Sequence, residues 1–165
     1  MISQEYCQKL AVYHSLMNQQ LYSACEKLSD NERKEDNKLF FKSIHGTLNH
    51  LLFGDIAWLS RFLQKENEIP DIGQELYSDY YDLWQARKEW DQKLLDWSAT
   101  VEHEWLASDF TFTSKVDQST RTRPAWLLVS HLFNHGTHHR GQLTTILSQY
   151  DIDYGVTDIP FLIVE

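Results

Sequence analysis

Apolar residues fall in four long stretches with steps of three and four, the spacing that lines one face of a 3.6-residue helix. The first, from Ser3 to about Leu28, carries Leu10, Tyr13, Met17, Leu21, Ala24 and Leu28. The run from Ser29 to Asn37, SDNERKEDN, has no apolar residue and predicts a solvated connection leading to a helix N-cap. A second helix is predicted from about Lys38 to Lys65, with Phe41, Ile44, Leu48, Leu51, Leu52, Ile56, Leu59 and Phe62 on its apolar side. Pro70 and Gly73 turn the chain within Asn67 to Gly73. The third helix, Ser78 to Ser98, places Tyr80, Leu83, Trp84, Trp90, Leu94 and Trp97 at helical spacing, and Val101 to Ala107 adds a short further turn. From Asp109 to Arg123 the pattern changes to DFTFTSKVDQSTRTR, alternating threonines and aromatics, which predicts a small hairpin or extended excursion. Pro124 is then expected as the first residue of a fourth helix running to about Tyr150. Residues 151–165 read as an irregular tail whose last apolar residues dock on the helices or on another subunit.

Four long helices with one excursion before the last predict an all-α fold, an antiparallel four-helix bundle, in a single domain over residues 1–165. A chain of this length buries its own core without disulfides or a structural metal. Six glycines and three prolines are few, in keeping with long elements and rare tight turns. The net charge of −9 disfavours phosphate backbones and anionic surfaces, so no nucleic acid and no membrane is expected as a partner. Cys7 and Cys25 form no disulfide or zinc spacing, which fits a reducing compartment. With no run of ~20 apolar residues and a polar stretch from Met1 to Lys9, a soluble cytoplasmic protein is expected.

The fourth helix carries HLFNHGTHHRGQ from His131 to Gln142. Four residues advance a helix by about 40°, so His131, His135 and His139 form a ladder with His138 and Gln142 beside it. Leu128, Leu132, Leu143 and Ile146 share that stripe, so the ladder is expected to face the core. Buried imidazoles need partners, and a His-x-x-x-His pair chelates one ion from adjacent turns. His50 on the second helix supplies a third donor, set between Gly46 and Gly54, with Ala57 beyond. Each glycine costs ~1 kcal/mol against alanine in a helix, which makes sense if space is needed there. His50, His135 and His139 are therefore the expected metal ligands, converging in the bundle interior. His131, His138 and Gln142 are pocket or supporting candidates for catalysis. His14, His45 and His103 read as hydrogen-bonded core histidines. Asp55 points about 140° away from His50 and reads as a structural partner, and Arg140, also off the ligand face, as a salt-bridge or interface residue.

The segments NHLLFGDIAWL (Asn49 to Leu59) and HLFNHGTHHRGQL (His131 to Leu143) resemble the DinB/YfiT-like superfamily, small bacterial four-helix-bundle metalloproteins. Helix order, the extended stretch before the last helix and the length match as well. The resemblance implies a divalent metal, nickel or zinc, on His50, His135 and His139. It also implies an up-down-down-up bundle with a long crossover, here about Lys65 to Ser78, and frequent homodimers. The superfamily name refers to DNA-damage induction and not to DNA binding.

Three imidazoles leave a coordination position open, as catalytic sites do. An ion held this way lowers the pKa of water to ~7 or favours a thiolate. The resemblance points to S-transferases that use low-molecular-weight thiols such as bacillithiol or mycothiol, with a small-molecule substrate. Metal-dependent hydrolysis is the alternative, followed by a non-catalytic metal or small-ligand binding module of the stress response, and by a structural bundle whose histidines pair with one another. No general base adjoins the ligands; His14 is one further polar group free to assist. Six tryptophans and eight tyrosines are many to hide in one chain, and Trp84 lies about 120° from Trp90 and 140° from Trp97. One edge of the third helix is therefore expected to bury aromatic surface in a homodimer, unless the hairpin and tail cover it.

Overall fold

The structure, a computed structural model, describes residues 2–162. It is mostly helical, with one small antiparallel sheet. In chain order the helices are α1 (Gln4–Cys25), α2 (Asp30–Lys34), α3 (Ile44–Phe62), α4 (Tyr80–Thr100), α5 (His103–Ala107), α6 (Ala125–Gln149) and α7 (Ile159–Leu162). The strands β1 (Asp109–Thr113) and β2 (Thr120–Pro124) pair between α5 and α6, with Phe110 opposite Arg123 and Phe112 opposite Arg121. Among the described residues no helix is long and apolar enough to cross a membrane.

Side-chain caps fix where the helices begin. The hydroxyl of Ser3 accepts from the Tyr6 N–H, and Asp79 accepts from Tyr81 and Asp82. The charged run after α1 is not wholly a solvated connection. Ser29 and Glu32 form a reciprocal capping box that winds one helical turn, α2. Its Arg33 is buried over the Tyr80 ring and donates to the carbonyls of Cys25 and Leu28. The second long helix starts six residues later than the apolar spacing predicts. Lys38 and Lys42 take positive φ, +58° and +66°, so the chain loops there, and Ser43 caps Gly46 to begin α3. Phe41 thus belongs to the loop. Pro124 ends β2 immediately before α6 rather than opening the helix.

α1 packs beside α4 and α6, and α3 beside the same two helices. The apolar core lies in two clusters. One gathers Leu21, Tyr22 and Cys25 of α1, Leu48, Leu52 and Ile56 of α3, Leu83 of α4 and Leu143 of α6. The other gathers Cys7 and Ala11, Leu59 and Phe62, Leu94 and Trp97, and Leu128, Val129, Leu132 and Phe133 of the same four helices. Between them a layer of buried polar groups crosses the molecule: His14, Asn18, Asp55, Arg87, Asp91 and Arg140.

Met17, Leu21, Ala24 and Leu28 of the first predicted stripe and Leu128, Leu132, Leu143 and Ile146 of the fourth are buried as expected, and the polar layer displaces only the middle of each. On α1 the buried line runs Cys7, Ala11, His14, Asn18, Leu21, Cys25, while Leu10 and Tyr13 are only half-buried. On α6 it runs through Leu132, Phe133, Gly136, His139, Arg140 and Leu143, so the histidine ladder lies along the edge of the buried face and not at its centre. The tryptophans of α4 separate along the helix as well as around it. Trp84 stacks on Tyr22 at the first cluster, Trp97 on Phe62 at the second, and Trp90 touches both. No tryptophan is exposed, but Tyr6, Phe40, Tyr77, Tyr81 and Phe161 are, so the chain covers its tryptophans without covering all of its aromatic surface. The tail crosses α1 through bonds from Tyr13 to the Thr157 carbonyl and from Gln20 to that of Val156. The last three residues of the predicted docking segment lie outside the described residues.

Candidate metal centre

His50 of α3 meets His135 and His139 of α6, with one donor nitrogen from each within 4.8 Å of the other two. Their site is half-buried at the α3–α6 seam rather than deep in the interior. His50 Nε2 and His135 Nε2 are 2.9 Å apart, a single proton bridging them, close to the ~3.3 Å that two tetrahedral ligands at ~2.0–2.1 Å would span. The Nδ1–H of His139 donates to Gln142 Oε1 at 2.8 Å, which fixes its tautomer and leaves Nε2 unprotonated. Gln142 thus acts on a member of the trio.

The two glycines beside His50 serve different neighbours. A Cβ on Gly54 would stand 2.6 Å from Cε1 of His135, so its absence makes room for that imidazole. A Cβ on Gly46 would stand 2.2 Å from the Phe41 carbonyl oxygen, so Gly46 admits the preceding loop. That loop lays the Phe41 ring on His50, centroids 3.7 Å apart and planes 17° apart, and Phe41 also meets His139 edge-on. Phe41 is a site residue that its helical spacing disguised; the one sign of it was the Phe40-Phe41 pair just ahead of the capping Ser43.

Burial and the adjoining imidazoles push His50 down to about 3 and His135 to about 4, and burial lowers His139 as well. All three are neutral at pH 7, the state metal binding requires, and an ion at the shared point would displace the proton between His50 and His135. Three imidazoles suit zinc, nickel, copper or iron rather than calcium or magnesium. Donor set, spacing and the space at Gly54 all fit a divalent transition metal.

The remaining candidates divide. His131 is exposed beside His135 and packs against Trp58, and His138 is exposed with its ring edge on His139. His45 is buried as expected, donating to the Tyr77 carbonyl. His103 is not a core residue; it is exposed at the start of α5. His14 is not free to assist. Its Nδ1 accepts from Arg140 Nη1 at 3.0 Å, so its Nε2–H donates to Asp55 Oδ2 at 2.7 Å. Asp55 also takes Arg87 Nη1 at 2.6 Å, the structural role expected of it. Burial alone would raise the Asp55 pKa, but His14 and Arg87 hold it well below the carboxylate range. Arg140 makes no salt bridge among the described residues; it is buried against His14, Asn18 and Thr137, all neutral acceptors. Among the described residues no carboxylate hydrogen-bonds the trio, and none is placed as its general base.

A family model described as the DinB family matches residues 1–162. Protein DinB of Bacillus subtilis (strain 168) is 25% identical over 169 residues, covering 91% of this chain and 89% of that protein. No solved structure matches.

Proposed function

Since the chain belongs to the DinB family, we propose that it is a divalent-metal enzyme that activates a low-molecular-weight thiol for transfer to a small electrophilic substrate. His50, His135 and His139 hold the ion, nickel or zinc. The four long helices form an up-down-down-up bundle of one domain; the order of the two apolar clusters reverses from α1 to α3, repeats in α4 and reverses again in α6, which supports that path. The chain works as a homodimer in the cytoplasm, on the strength of the family alone.

The observation that carries the metal site is the free Nε2 of His139. A purely structural cluster would end with the His50–His135 pair, whereas the third nitrogen of the trio is kept unprotonated by Gln142. When bound, the ion supplies Lewis acidity toward one small nucleophile, a thiol or a water. Phe41 and Phe53 wall the site beside His50 with apolar surface that orients an organic substrate and thins the water around it. His131 and His138, exposed on either side, carry the nucleophile's proton away to solvent.

Hydrolysis is the second function supported, by the same exposed flank through which water reaches the trio. A turnover assay separates the two: metal-loaded protein is given a thiol with a chlorinated aromatic electrophile, and in parallel an activated ester without thiol. Thiol conjugation that disappears in His135→Ala is expected. Ester cleavage alone would replace transfer by hydrolysis, and no turnover in either arm would leave a binding module.

A further inference from the structure

Arg140 follows His139 directly, yet about 100° of helical advance turns it to the opposite flank of α6, toward α1. Its side chain is 3% exposed and permanently charged. Unlike Arg87, which reaches both Asp55 and Asp91, it has only neutral acceptors: His14 Nδ1, Asn18 Oδ1 and, at 3.4 Å, Thr137 Oγ1. Two adjoining cavities of about 170 and 440 Å³ open against it between α1 and α6, and Tyr13, Thr137, Arg140 and Ile159 line both. Phe133 and Leu10 make the smaller one apolar, and Met17 and Pro160 the larger. The tail forms the roof, held down by the bond from Tyr13 to Thr157.

Gly141 supplies an independent observation. It lies inside α6, where glycine costs ~1 kcal/mol against alanine. No heavy atom stands within 4 Å of where its Cβ would be, so packing does not call for it, and it lines the larger cavity. Gly54 and Gly136, by contrast, each make way for an imidazole.

We propose that this α1–α6 cleft is a second ligand site, distinct from the three-histidine centre, that takes a small organic monocarboxylate with an apolar body. Arg140 holds the carboxylate, and the body lies on Tyr13, Phe133 and Ile159 under the tail; the Thr137 hydroxyl, which donates to the Phe133 carbonyl, only lines the wall. Asp55 and Asp91 stand behind His14 and Asn18, and Asp158 is on the rim of the larger cavity, so the negative groups around Arg140 disfavour a phosphate dianion more than a monoanion.

The test is calorimetric titration of the full-length protein with phenylacetate, before and after chelation, with 2-phenylethanol and inorganic phosphate as comparisons. One phenylacetate per chain is expected, with affinity unchanged by chelation. Loss of the charged contact should weaken 2-phenylethanol about tenfold or more, and phosphate should not compete. Gly141→Phe, which fills the cleft from a position with free space, should abolish binding while metal content stays at the wild-type level; Arg140→Gln should weaken it about tenfold. No binding of phenylacetate, binding lost on chelation, competition by phosphate, or full binding by Gly141→Phe would each overturn the proposal.

Discussion

An added methyl at Gly54 must displace the His135 ring, with Cε1 at 2.6 Å and Nδ1 at 2.9 Å. Gly54→Ala is therefore expected to improve helix propensity and yet lower metal affinity by tenfold or more, read by competition with a chromophoric chelator. An unchanged affinity would mean that His135 does not need the position it occupies. At this scale the convergence of the candidate trio is legible in the sequence: the i, i+4 histidines of the fourth helix and a glycine-flanked histidine on the second are the three that meet. Gly46 and Phe41 were not legible, because their role depends on a loop folding back over α3. A pattern of apolar spacings gives no signal for a chain reversal that uses positive φ at lysines.

Helix α3 begins at Ser43, and that cap holds the Phe41 loop against His50. Ser43→Ala is expected to cost ~1 kcal/mol of stability, seen as a lower urea midpoint with an unchanged slope. Gly141→Ala on α6 should do the reverse and raise stability by ~1 kcal/mol; a destabilised protein would mean that the glycine answers a packing demand absent from its surroundings. The extents of α1, α4 and α6 and the hairpin are readable from periodicity and turn residues, while α3 is shorter than its apolar spacing predicts. The stripes on α1 and α6 were displaced because the buried line itself contains His14, Asn18, Gly136 and Arg140, and a search for apolar residues steps around a polar layer. Arg87 and Asp91 carry no sequence signal for the same reason: on a helix with an exposed charged face, nothing local distinguishes the pair that points inward.

Across the molecule, acid acts on groups whose protonation the fold resists. His50 and His135 are pushed down to about 3 and 4 and Asp55 lies below its ordinary range, so the unfolded chain binds protons that the native chain does not. Their stabilising contribution is complete above about pH 6.5, the histidines' ordinary value, and is lost as pH falls through the histidine range and then through that of Asp55. Burial raises Asp91, more than Arg87 and His14 lower it, and this works in the opposite direction, but it is one group against three. The melting temperature of chelated protein is expected to fall steadily from pH 6.5 to pH 4; a flat or rising profile would contradict the neutral trio. The metal site itself meets its most direct test in the metal content of protein purified without a histidine tag, wild type beside His135→Ala, with far-ultraviolet circular dichroism on both. One divalent ion per chain in wild type and none in the variant, with equal helical signal, is the expected result, since the two apolar clusters hold the fold without it. An ion retained by His135→Ala, or a wild type that takes up none when offered nickel or zinc, would contradict the account.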